Sequence, residues 1–260
     1  SDYIDEIPNA AFKNCAKLKS ISGYFTKIGD EAFMGCTGLG RFNVSSDIKK
    51  IGSNAFKDVP VIKINAINSV SAIELAEEMN PTLDRNNSEE LKQLETAAKK
   101  ITGDWIEGVL QTGAKKMIID ISTAFEGTDI SMSVPELDYF EIVGGKKTYK
   151  NLQLNCSAKE TVIKELSITD CKQTPLIISS DKLTLEEVSV VNDGFALLLA
   201  GNGSKVTLIR DNRLVSNNGK AIVSKNPVFV SEVIDSTLGV LEVSGDIYNC
   251  GSITGQSNID

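Results

Sequence analysis

One short pattern recurs three times at the start of this chain and restricts the folds open to it. Residues 7–15 read Ile-Pro-Asn-Ala-Ala-Phe-Lys-Asn-Cys, with Leu18 and Ile21 following. Residues 28–36 read Ile-Gly-Asp-Glu-Ala-Phe-Met-Gly-Cys, followed by Leu39, Phe42 and Val44. Residues 51–59 read Ile-Gly-Ser-Asn-Ala-Phe-Lys-Asp-Val, followed by Ile62 and Ile64. The Ala-Phe pairs begin at 11, 32 and 55, so the periods are 21 and 23 residues. A unit this short cannot bury its own apolar face, and identical positions must stack on one another to make a core. Phe12, Phe33 and Phe56 are therefore expected in one interior column. Strands at Ile21–Gly23, Phe42–Val44 and Ile62–Ile64 should pair in parallel.

The pattern I-G-x-x-A-F-x-x-C-x-x-L-x-x-I resembles the BspA-type leucine-rich repeats of bacterial surface proteins. The resemblance covers residues 1–66. The third copy departs from it, with Val59 in place of Cys and Pro60 directly after. It implies a secreted or surface-displayed chain whose repeats bind other molecules.

Residues 67–116 change character and are expected to form a helical connector. Ser71-Ala-Ile-Glu74 has the form of a capping box, and Asn80-Pro81 should stop the helix it opens. A second helix should begin near Asn87 or Ser88. There Leu91, Leu94, Ala98, Ile101 and Trp105 recur at spacings of three and four, making one apolar stripe. The expected role is to cover an open β edge.

From residue 117 to 260 the pattern is strand-like, with short apolar runs broken by Gly, Asn, Asp and Ser. Three sets of segments align. One set is Ile168–Cys171, Val190–Gly194, Val215–Gly219 and Ile247–Gly251, at steps of 22, 25 and 32 residues. A second is Leu152–Cys156, Leu176–Ile178, Ala196–Leu199, Ala221–Val223 and Val240–Val243. A third is Thr161–Ile163, Leu183–Leu185, Val206–Ile209 and Val228–Val230. Three strands per repeat of this length resemble a right-handed parallel β-helix of the pectate-lyase-like and adhesin-like kind. The fold class expected for the whole is a mainly β repeat solenoid: leucine-rich repeats, helical connector, parallel β-helix.

Composition narrows the chemistry. The 260 residues contain no histidine. That removes Ser-His-Asp and Cys-His nucleophilic machinery and histidine-ligated zinc, though not carboxylate-only hydrolysis or Lys- or Arg-based lyase chemistry. A net charge of −8 with four arginines (Arg41, Arg85, Arg210 and Arg213) argues against nucleic acid as a partner. No apolar run approaches a membrane span, and residues 1–3 carry no signal-sequence pattern. Cys15, Cys36, Cys156, Cys171 and Cys250 show no metal-ligand spacing, and their odd number argues against a full disulfide framework. Cys15 and Cys36 share a repeat position, which leaves open either a bridge or small side chains in a ladder.

Polar residues cluster at one turn of the C-terminal repeats: Asp170, Asn192, Asp193, Asn217, Asn218 and Asn249. They read either as an internal ladder satisfying backbone groups of neighbouring turns or as a sugar site or carboxylate pair. The ladder is the expected reading. Gly144-Gly145 and Gly201-Asn-Gly203 read as turn glycines, and Arg210-Asp211-Asn212-Arg213 as a solvated turn. No catalytic, cofactor or metal residues are assigned. The expected function is an extracellular or cell-surface binding and adhesion module, engaging a host or matrix protein or a glycan through a repeat face. A β-helix polysaccharide-degrading enzyme and a structural stalk are the alternatives. Clustered carboxylates in a cleft would favour the enzyme, an aromatic or apolar patch binding, and a uniformly polar skin the stalk.

Overall fold

A computed structural model describes residues 5–201, 205–209, 212–218, 221–234, 242–244 and 247–253. The side chains beyond residue 224 are outside that description, as are Asn202–Ser204, Arg210, Asp211, Gly219 and Val240. The turn glycine Gly203, the Arg210-Asp211 pair and the side chains of Asn249 and Cys250 therefore lie outside the described residues. The chain divides into two compact units, Ser1–Asp129 and Ile130–Asp260.

In the first unit, β1 (Glu6–Ile7), β2 (Lys27–Ile28) and β4 (Lys50–Ile51) pair in parallel, with Ile7, Ile28 and Ile51 in register. A second parallel row joins β3 (Arg41–Val44), β5 (Val61–Asn65) and β6 (Lys116–Asp120). Ile21–Gly23, an expected strand, is not one; the row starts at β3, and a single long backbone bond from Gly40 N to Lys19 O joins it to the preceding repeat. Phe12, Phe33 and Phe56 do stack as one column, with ring centroids 5.3 and 5.8 Å apart. Phe42 leans on both Phe33 and Phe56 at 5.0 and 5.2 Å.

The stacking explains the glycine of the repeat. A Cβ at Gly29 would sit 2.5 Å from the Asn9 nitrogen, and one at Gly52 would sit 2.3 Å from that of Asp30. Only glycine lets successive turns approach this closely. The next residue closes the same turn from its side chain: Asn9 Oδ1 accepts from Asp30 N and Asp30 Oδ1 from Ser53 N, both at 2.8 Å.

Two helices, α1 (Ser69–Met79) and α2 (Ser88–Leu110), pack on each other between β5 and β6. They are an insertion within a repeat. The backbone ladder Phe12 N to Ala32 O and Phe33 N to Ala55 O continues as Phe56 N to Thr112 O, just after α2. Left-handed residues recur in phase at Asn14, Gly35 and Asp58. The start of α1 is set by Asn68, whose Oδ1 accepts from Ser71 N; Ser71, expected as the cap, lies inside the helix. Asn87 caps α2 as expected. The buried stripe of α2 is Leu94, Ala98, Thr102, Trp105, Ile106, Val109 and Leu110, rotated from the expected one so that Leu91 and Ile101 are only half-buried.

In the second unit three parallel ladders run side by side. The first joins β7 (Ser131–Val134), β9 (Gln153–Cys156), β11 (Leu176–Ile178), β13 (Leu197–Leu199) and the start of β16 (Ile222–Ile234). The second joins the first halves of β8 (Tyr139–Lys150), β10 (Glu160–Thr169) and β12 (Lys182–Asn192) with β14 (Lys205–Ile209) and the end of β16. The third joins the second halves of β8, β10 and β12 with β15 (Arg213–Ser216) and β17 (Glu242–Ser244). β18 (Ile247–Ile253) pairs with β16. Two registers differ from the sequence alignment. Val190 faces Leu214, not Val215, and Ile247 faces Ile222, off the ladder to which it was aligned. Val243 belongs to the third ladder, opposite Leu214, and not to the first.

The long strands bend where Glu165 and Glu187 take positive φ of 50° and 54°. A Cβ on Gly144 would lie 2.6 Å from the Glu165 carbonyl, so glycine is required beside that bend.

Candidate functional site

Two surfaces, one in each unit, carry side chains that packing does not account for. In the first unit the β3–β5–β6 row buries Phe42, Val44, Ile62, Ile64, Met117 and Ile119 on its inner face. Strand alternation turns the intervening residues outward. Arg41 and Asn43 on β3 and Lys63 on β5 emerge there, with Asn43 directly opposite Lys63 and Lys63 opposite Ile118. Lys116 opens β6 one residue before Met117, which faces Ile62. Arg41, Lys63 and Lys116 thus sit on three adjacent strands about 4.8 Å apart. None of them is in an ion pair with another described residue. Lys13, Lys49 and Arg85 elsewhere in the unit are, bound to Glu31, to Glu74 and Glu78, and to Glu77. Glu74 and Glu78 hold the Lys49 ammonium above its ordinary pKa, although burial opposes them as the largest influence.

In the second unit the turns after the third ladder border an open cavity of about 730 Å³. Asp170, Gln173, Asn192, Asp193, Phe195 and Asn217 line it. The polar turn residues singled out in the sequence thus meet here, but their roles divide. Asn192 is the internal ladder residue, 3% exposed, its Nδ2 donating to the carbonyls of Gln173 (3.4 Å) and Phe195 (3.1 Å). Asp170, Asp193, Asn217 and Asn218 are exposed, against the ladder expectation, because register places Asn192 opposite Ser216 and leaves Asp193 and Asn217 in the turn beyond the strands. Asn217 Nδ2 donates to Asp193 Oδ1 at 3.0 Å. Lys150 approaches Asp170 to 3.8 Å.

Asn212 was missed by the sequence reading. It is 1% exposed, and its Oδ1 accepts from Val188 N while its Nδ2 donates to the carbonyls of Leu185 and Ile209. The side chain fills the backbone gap opened by the left-handed Glu187. Its position inside Arg-Asp-Asn-Arg hid it, since a polar run reads as solvated.

The cysteines are free thiols among the described residues, Cys15 exposed and Cys36, Cys156 and Cys171 buried, so Cys15 and Cys36 are not bridged. Burial pushes all three buried thiols up, Cys171 to about 11. Among the described residues no group of three His, Cys, Asp or Glu side chains could hold a metal ion, and no helix is long and apolar enough to cross a membrane.

Residues 2–77 match the family model described as BspA type Leucine rich repeat region, in six copies. No curated protein and no solved structure matches the chain. The stacked Phe12–Phe33–Phe56 column, the glycine-dependent turns and this match together identify residues 2–77 as a BspA-type leucine-rich-repeat region, a surface or protein-interaction repeat, on a chain whose remainder is a β-rich parallel repeat.

Proposed function

We propose that this protein is a non-catalytic adhesion module, displayed outside the cell, whose leucine-rich-repeat sheet docks a host or extracellular-matrix protein through an acidic surface. The observation that carries this reading is the set Arg41, Lys63 and Lys116 on three adjacent strands, outward-facing and without ion pairs to described residues in a chain of net charge −8. Cations without ion pairs to described residues on a regular sheet are available to steer and register an anionic partner. The helix pair at residues 67–116 serves as a connector between the leucine-rich repeats and the strands that follow. The strands from 117 onward form a right-handed parallel β-helix, supported by three parallel ladders at steps of 19 to 29 residues.

The test is biolayer interferometry of the full chain on immobilised extracellular-matrix proteins, with the triple variant Arg41→Glu, Lys63→Glu, Lys116→Glu. Binding that weakens with salt and loses about ten-fold or more in association rate in the variant supports the reading. Unchanged binding by the variant, or no binding to any matrix protein, overturns it.

A further inference from the structure

We infer that the cavity in the second unit is a binding site for a neutral saccharide, separate from the cationic sheet face and independent of it. The cavity volume, about 730 Å³, is of the size that holds one or two sugar rings. Its lining combines one aromatic side chain with planar polar groups. Phe195 is 39% exposed at the tip of its turn, while Phe33, Phe42, Phe56 and Phe140 are all buried. An aromatic ring left open at the rim of a polar cavity offers a flat apolar face to the C–H side of a pyranose.

The polar groups are already oriented. The Asp193 carboxylate is held by Asn217, so an acceptor and a carboxamide stand side by side, suited to neighbouring hydroxyls that both donate and accept. Asn192 supplies the floor. Its amide nitrogen is spent on the two turns that form the walls, while its Oδ1, buried, has no hydrogen-bond partner among the described residues.

Charge selects the ligand class. Asp170 and Asp193 are offset by Lys150 beside Asp170 and by Lys172 in the lining, so neither an acidic sugar nor a cationic ligand gains from the site. A divalent cation lacks the ligands it needs among the described residues. A polyhydroxylated neutral ring matches both features: the open aromatic face and the paired carboxylate and amide.

The experiment is saturation-transfer difference NMR on the full chain with glucose, galactose, mannose and N-acetylglucosamine, free and as disaccharides, and with glucuronate as the charged counterpart. At least one neutral sugar should receive saturation, strongest at its ring C–H protons, and glucuronate should receive less. Phe195→Ala and Asp193→Asn, both at exposed positions, should each weaken binding about ten-fold without shifting the melting temperature. Lys63→Glu should leave sugar binding unchanged, which separates this site from the sheet face. No transfer to any neutral sugar, or equal transfer with both cavity variants, overturns the proposal.

Discussion

The rings of Phe33 and Phe56 lie 5.8 Å apart and within 4° of parallel, one repeat stacked on the next. Both are fully buried, and Phe42 from the neighbouring strand row leans on each of them. Phe33→Ala would empty the middle of that column, where neighbours on three sides are fixed by backbone ladders and cannot collapse inward. The expected loss is about 3–5 kcal/mol, measured by chemical denaturation of the first unit's transition. A loss below about 1 kcal/mol would mean the column is not a structural core.

Asn212 holds the bend at Glu187 through side-chain bonds to the buried Val188 N and Leu185 carbonyl, with a third bond to the Ile209 carbonyl. Asn212→Ala leaves Val188 N and the carbonyls of Leu185 and Ile209 to find other partners, and should cost about 1–3 kcal/mol. Asn218→Ala, an exposed amide in the following turn, is the control and should be near neutral. Equal melting temperatures for the two variants would count against the stapling role.

Burial raises the Cys171 thiol to about 11 from an ordinary 9.0. The folded state therefore holds this proton more tightly than the unfolded chain does. Its contribution to stability is complete below pH 9.0 and is lost as pH rises toward 11. Cys36 and Cys156, raised by the same cause, tilt stability in the same direction. Cys171→Ala should flatten the alkaline fall of the melting temperature. In the native protein at neutral pH, maleimide should label Cys15 well ahead of Cys36, Cys156 and Cys171, as peptide mapping would show.

Asp170 and Asp193 lie in one cavity, and a two-carboxylate glycosidase would need such a pair. Asp193 is engaged by Asn217 and Asp170 lies near Lys150, which suits binding better than proton transfer. Incubation with pectic and other acidic polysaccharides, with and without Ca²⁺, is expected to give no cleavage. Cleavage that disappears in Asp170→Asn or Asp193→Asn, with the fold retained, would replace the binding module with an enzyme.

The sequence by itself determined the repeat. Ile-Gly-x-x-Ala-Phe-x-x-Cys marks buried positions that recur at one interval, and periodic burial is written directly in residue type. The helix ends were legible too, at Asn80-Pro81 and at Asn87, because caps are local chemistry. Only the tertiary structure decided where α1 and α2 belong. Their insertion within a repeat shows in the bond from Phe56 N to Thr112 O, which joins residues far apart in the chain. Register was decided there as well: Val190 faces Leu214 because strands pair through backbone groups that every residue shares, and a one-residue slip leaves similar apolar letters aligned. The same holds for Asn192, Asp193 and Asn212. Their residue types permit a turn, a ladder or a staple alike, and only the neighbouring turn, stacked one strand spacing away, selects which backbone groups each side chain meets.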